Sequence, residues 1–402
     1  MSAFFLVLIY LAFISLGLPD SILGVTWPVM QSDFGAPIET AGLLFMMIAG
    51  GTIVSSLASG IILKRFGTGK VTFVSSFMTA AALLGFYFSP SLFWLFLCAI
   101  PLGLGAGAID AGLNHYVAAH YKAHHMSWLH CFWGVGATLG PVVMASFISG
   151  NNSWRNGYLA IAGIQFVLVV ILFLALPLWD KVAASPLAAE KEEKGIEFES
   201  IKPFQIKGVK LTLVAFLFYC GAESGIGLWG SSFLINVKDL SVETAAKWIS
   251  LYFGGITIGR FVTGFLSLKA SNRVLIRTGQ STALAGALLL LFPLPASFSL
   301  IGFVLIGLGL APIFPSMLHE TPAHFGKAHS QSIMGYQMAA AYTGSSLLPP
   351  LLGFLASQST IAIFPFVVAF FILAMLLSSE MLNTFLRKKH VLNPKKKKSA
   401  AF

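Results

Sequence analysis

The chain has 402 residues, 56% apolar and only 10% charged, with a mean hydropathy of +0.83 and a formal net charge of +10. Soluble domains carry about 25% charged residues, so a water-soluble enzyme or binding module is excluded. A spanning helix needs about 20 apolar residues, and a chain of this length with short loops holds roughly a dozen. The composition predicts an all-α polytopic membrane protein.

Apolar runs bounded by charges or Pro/Gly turns place twelve transmembrane helices near residues 3–30, 38–63, 71–89, 91–119, 126–149, 155–178, 209–236, 243–268, 274–292, 297–318, 330–356 and 361–386. The first run has no basic n-region and no small-residue cleavage site, so it reads as an uncleaved span. The connecting basic residues, from Lys64, Arg65 and Lys70 to the Lys-rich tail after Asn393, fall on one side. The exceptions are Arg155, Lys238 and Lys247 on the other side and Arg260 inside a span. The positive-inside rule makes the basic side cytoplasmic, with both termini there. The positive charge therefore orients the chain and does not point to nucleic acid.

The one long polar segment, residues 179–208, predicts a cytoplasmic linker between an N-terminal six-helix bundle at 1–178 and a C-terminal one at 209–390. Residues 391–402 form a basic cytoplasmic tail. Asn151-Asn152-Ser153 matches a glycosylation sequon but sits in a loop of a few residues and reads as chance. An internal repeat supports the two halves. Gly50, Gly51 and Gly60 recur as Gly254, Gly255 and Gly264, and Gly103-Leu-Gly105 recurs as Gly307-Leu-Gly309, always at an offset of 204. Small residues also let helices pack closely in lipid, a reading compatible with the repeat. Parallel halves place a shared site near the midplane between them.

A carboxylate at the bilayer centre costs about 2.5–3.5 kcal/mol on insertion scales, so Asp20, Asp110 and Glu223 each need a reason. Subtracting 204 from Glu223 gives position 19, so the first span of each half carries an acid at nearly one depth. Asp110 and Asn114 share a helix face, with His115 beside them and His130 on the next span. Either histidine can instead be a packing residue, and a buried acid can be a protonated helix-to-helix hydrogen-bond donor. Arg260 is the one deep cation and can neutralise one of the three acids, acting near the gate or as a strut. The remaining acids require a proton or a bound cation at some stage, which is the physical argument for ion coupling by Asp20, Asp110 and Glu223. Trp133, Trp229, Tyr336 and Gln337 complete the expected substrate lining. Their aromatic faces beside polar groups suit a sugar ring. Trp27 reads as lining or as part of an interfacial belt.

Cys98, Cys131 and Cys220 lie in apolar runs without CxxC spacing, so disulfides are not expected. No metal, cofactor or ATP site is expected either. His120-Tyr-Lys-Ala-His124 lacks the glutamate of a zincin helix, and no P-loop is present.

Gly60-Ile-Ile-Leu-Lys64-Arg65-Phe-Gly67-Thr-Gly-Lys70 resembles the signature between helices two and three of the major facilitator superfamily, with Lys64 where an Asp is usual. Within that superfamily, Asp110-x-x-x-Asn114, His130-Cys-Phe-Trp-Gly134 through Gly140-Pro141, Glu223 through Trp229 and Gly259-Arg260-Phe261 are similar to the fucose permease and sodium-dependent glucose transporter group. The resemblance implies two bundles, transport rather than catalysis, and proton coupling and sugar recognition by Asp20 and Asp110. It places Lys64, Arg65 and Arg260 at the gate. The expected function is secondary active transport of a small sugar-like solute coupled to protons or sodium, by a monomer in a bacterial cytoplasmic membrane. A proton-coupled exporter of amphipathic compounds, loosely suggested by Gly134 to Pro141, and a receptor or lipid-handling protein that no longer transports are the other readings.

Overall fold

The computed structural model describes residues 3–121, 123–149, 153–183 and 206–392, and these are helices joined by short turns, with no strand. The N-terminal half comprises α1 (Ala3–Asp20), α2 (Ile22–Phe34), α3 (Thr40–Phe66), α4 (Thr68–Tyr87), α5 (Leu92–His120), α6 (Ala123–Ile148), α7 (Trp154–Leu174) and α8 (Leu176–Ala183). The C-terminal half comprises α9 (Val209–Lys238), α10 (Val242–Leu266), α11 (Asn272–Leu291), α12 (Ala296–Leu310), α13 (Ile313–Phe325), α14 (Lys327–Gln358) and α15 (Phe364–Leu392). The pairs α1/α2 and α12/α13 are each one broken span. Most of the expected linker, the sequon asparagines and the tail from 393 lie outside the described residues.

Among the described residues, eleven segments are long and apolar enough to cross a membrane. The twelfth expected span is α14. Its 32 residues are long enough at about 1.5 Å per residue, but Tyr336, Gln337, Tyr342, Thr343, Ser345 and Ser346 dilute its hydropathy. A polar span is tolerable only where neighbours cover it, and α14 packs against α9 of its own bundle and α3 of the other.

The two bundles repeat one another's packing. A Cβ on Gly103 would lie 2.0 Å from the Ile48 carbonyl oxygen, and one on Gly307 would lie 2.2 Å from that of Tyr252. Both positions and both partners are related by the offset seen in the sequence. Gly51 meets the Leu104 amide and Gly255 the Leu308 amide in the same way. These glycines let α3 cross α5, and α10 cross α12, at backbone contact distance. Gly60 and Gly264 have no neighbour within 4 Å, so their recurrence marks the repeat without a packing role.

The break in the first span follows from Pro19. Proline lacks the N–H that would bond the carbonyl four residues back, which is that of Ser15. Gln165 Nε2 from α7 donates to that carbonyl at 2.5 Å. The freed bond is thus replaced from outside the helix, and the turn at Ser21 sets Asp20 at the joint between α1 and α2.

The bundles touch where α6 meets α10, α14 meets α3, and α2 meets α9. Gly24 lies against the backbone of Gly227 and Leu228, and Gly42 against Pro350, both on the side away from the termini. At mid-depth Ser250 Oγ donates to the Thr138 carbonyl at 2.7 Å, and the Thr138 and Thr257 hydroxyls are 3.3 Å apart.

Gly307→Ala should lower the melting temperature of the purified protein, with a cost of about 1–3 kcal/mol for overpacking, whereas Gly264→Ala should leave it unchanged. Equal effects in a detergent-solubilised thermal melt would show that the α10/α12 crossing is looser than described.

Candidate functional site

Asp20 and Glu223 lie near the middle of their spans and Asp110 and Arg260 nearer the C-terminal ends of theirs, and the structure divides them unequally. On α10, Arg260 donates through Nη2 to Glu223 Oε1 at 3.0 Å, with the two side chains 15% and 16% exposed. The same nitrogen reaches the Tyr219 hydroxyl at 3.4 Å, and the Tyr252 hydroxyl donates to the Glu223 main-chain carbonyl at 3.1 Å. The guanidinium carbon also lies 5.5 Å from the centroid of the Trp133 ring, within cation–π range. On its other side, Trp133 Nε1 donates to Asp20 Oδ2 at 2.8 Å. A continuous polar bridge therefore runs from Glu223 and Arg260 in the C-terminal bundle through Trp133 to Asp20 in the N-terminal one.

The Asp110 carboxylate accepts from Asn114 Nδ2 at 2.9 Å, as expected for residues one turn apart. Across the interface, Tyr342 of α14 lies near Ser56 of α3 and Asp110 of α5. Asp20 and Asp110 are close enough to interact electrostatically. Arg260 thus takes up one acid, and among the described residues the other two carboxylates are held by neutral donors and form no ion pair. His130 is half-buried, with its ring edge-on to Phe13 at 5.8 Å.

Other expected lining residues are placed elsewhere. Trp229 is fully buried and donates to the Pro349 carbonyl at 2.7 Å, its ring filling the notch at Gly353. The missing side chain of Gly353 leaves that notch, and Trp229 braces α9 against α14 there. Gln337 is also fully buried: it accepts from Thr321 and donates to Thr212, each at 2.9 Å, so its amide is spent inside the bundle. Trp27 is 0% exposed and belongs to the packed core, not to an interfacial belt. Tyr336 is 38% exposed. Lys64 and Arg65 are exposed at the end of α3, where the guanidinium carbon of Arg65 lies 5.4 Å from the Phe66 ring centroid. The side chain of His115 lies outside the described residues.

Tyr219, Tyr252, Tyr342, Thr138 and Thr257 were not anticipated from the sequence. Tyr219 stands four residues before Glu223 and so on the same face, a readable signal. Tyr342, Thr138 and Thr257 make their contacts across the interface, which no local spacing encodes.

Two helical bundles with a shared mid-depth site of carboxylates, one guanidinium and aromatic hydrogen-bond donors define a multi-pass membrane transporter, not an enzyme. The chain belongs to the Major Facilitator Superfamily, which it matches over residues 9–347. It is 23% identical over 356 residues to the glucose/mannose transporter GlcP of Bacillus subtilis, covering 88% of each chain. Its fold is similar to that of a D-xylose-proton symporter, with a TM-score of 0.75 at 12% identity over 94% of this chain and 97% of the other. The E. coli fucose:proton symporter gives a TM-score of 0.61 at 16% identity over 94% and 98%.

Removing one partner of a buried ion pair strands the other, at a cost of up to about 3–5 kcal/mol. Arg260→Met should therefore lower the melting temperature more than the double change Glu223→Gln with Arg260→Met. A double variant no more stable than Arg260→Met alone would rule out the pair as a mutual neutraliser.

Proposed function

We propose that this transporter is a symporter that carries a small, polar, sugar-like solute by alternating access, driven by protons or sodium. Asp20 and Asp110 are its coupling acids. In this reading the protein works as a monomer in a bacterial cytoplasmic membrane with both termini cytoplasmic, and Lys64 and Arg65 act at the cytoplasmic gate. The observation that carries the reading is the distribution of charge: Arg260 is committed to Glu223, while among the described residues Asp20 and Asp110 accept hydrogen bonds from Trp133 and Asn114 and form no ion pair. Asp20 is exposed and Asp110 half-buried, but both lie within membrane spans, where an ionised carboxylate without a counter-charge is costly. Protonation or a bound cation removes that cost, so ion occupancy and the side of the membrane to which these acids are open become linked. Each unit by which the pKa of an acid differs between the two exposures corresponds to about 1.4 kcal/mol of coupling. Glu223 joins the coupling set only in a state where its pair with Arg260 opens.

Sugar recognition is supported by the chemistry of the site and by the printed functions of the relatives. Trp133 and Tyr342 offer apolar faces, while Asp20, Asp110, Asn114 and His130 offer a polar rim of donors and acceptors. A hexose presents the complementary pair of surfaces. The same polar mid-depth lining suits an amphipathic drug-like compound poorly, which disfavours the exporter reading.

Asp20→Asn and Asp110→Asn should each reduce gradient-driven accumulation of labelled glucose or fucose in proteoliposomes at least about tenfold, the equivalent of one pKa unit of coupling. Exchange of the same sugar without a gradient should persist. Accumulation at the wild-type level in both variants would remove the coupling assignment.

A further inference from the structure

At the end of the C-terminal bundle that carries the termini, a cavity of about 190 Å³ lies among Arg273, Glu320, His324, Asn383 and Arg387. Its walls come from α9, α11, α13 and α15, so it is separate from the site between the bundles. The acids around it are already engaged. Glu320 accepts from His324 Nε2 and Asn272 Nδ2, each at 3.0 Å. Glu380 is held by Arg277 and by Asn383 Nδ2, the latter at 3.1 Å. Among the described residues, no carboxylate lies within ion-pair distance of Arg273 or Arg387. Arg273 Nε is buried without a hydrogen-bond partner among the described residues, an arrangement that is costly for a charged group.

The other bundle shows what this position looks like when it only packs. Subtracting 204 converts Arg273, Glu320 and Asn383 into Gly69, Tyr116 and Trp179. There Trp179 sits on Gly69, where a Cβ would come within 2.5 Å of its Cγ. Its ring lies edge-on to Phe5 at 4.6 Å and to Tyr116 at 4.9 Å, and only about 90 Å³ remains. Where the other bundle has an aromatic wedge, the C-terminal copy has two guanidinium groups, with no ion pair among the described residues, around an open space.

We propose that this cavity is a binding site for a phosphate group, held by Arg273 and Arg387. Two guanidinium groups present planar forks that match phosphate oxygens bidentately, and two arginines against the single carboxylate of Glu320 leave the lining a positive surplus. The volume admits a phosphate with a few attached atoms and excludes a whole lipid. A soluble phosphomonoester and the headgroup of an anionic phospholipid share this chemistry.

The full chain in neutral detergent is titrated calorimetrically with glycerol 3-phosphate. In parallel, retention of phosphatidylglycerol against phosphatidylcholine is read by native mass spectrometry from nanodiscs. Saturable binding in the first arm identifies a soluble ligand, and selective retention in the second identifies a headgroup. Arg273→Gln combined with Arg387→Gln should weaken whichever binding is seen at least about tenfold, a loss of about 1.4 kcal/mol. Asn383→Trp, which supplies the other bundle's wedge and leaves both arginines, should do the same. Lys269→Gln, an exposed cation on the same face, should have no effect. Elution profile and melting temperature check each variant's fold, and the arginine pair remains decisive should Asn383→Trp not fold. Absence of binding in both arms, wild-type binding by the arginine variant, or an equal loss in Lys269→Gln would overturn the proposal.

Discussion

A single guanidinium for three carboxyls within the spans is the constraint on which the rest of the site depends. Arg260 bonds Glu223 inside its own bundle and lies over Trp133 of the other. That choice settles where the remaining negative charge sits, because Asp20 and Asp110 are left in the N-terminal bundle with neutral donors. The pairing also fixes the character of the interface. Trp133 contacts a cation through its face and a carboxylate through its N–H, so one side chain reports the electrostatic state of both halves.

The architecture around this constraint is built from close backbone approach. In lipid, apolar side chains gain little by meeting one another, and helices associate through van der Waals contact and hydrogen bonds. Gly103 and Gly307 bring α3 onto α5 and α10 onto α12 at equivalent points, so each bundle has a rigid crossing at the same depth. The interface between bundles shares this close approach at Gly24 and Gly42 but differs at mid-depth. Its mid-depth contacts are hydroxyl groups such as Thr138, Ser250 and Thr257, which can exchange partners with water at small cost. Rigid crossings within bundles and exchangeable bonds between them suit two bodies that move against each other.

Much of this was legible in the sequence because hydropathy and charge act over lengths that a chain records directly. The spans, the glycine repeat and the three acids with their single arginine are all visible as spacing. Which acid Arg260 takes is not, since Glu223 and Asp20 stand at nearly equivalent positions and only the packed interface distinguishes them. The aromatic and amide assignments illustrate the same limit. Trp229 and Gln337 have the composition of a binding site, yet the notch beside Pro349 and the hydroxyls of Thr212 and Thr321 use them as braces. A residue type states what a side chain can bond, and the neighbouring helices decide which bond it makes.

The break at Pro19 has a mechanical consequence. Below it, α1 is held to α6 by the approach of Gly17 to the Trp133 carbonyl and of Gly136 to that of Ile14, and above it α2 lies against α9 at Gly24. The first span is therefore clamped to its own bundle at one end and to the opposite bundle at the other. Gln165 anchors the joint itself by occupying the Ser15 carbonyl. Any parting of the bundles on the far side must bend or release the span at that joint, where Asp20 sits. The side chain is thus positioned like a strain gauge at a pivot, so that a change in its charge and a change in the angle of the hinge act on the same few atoms.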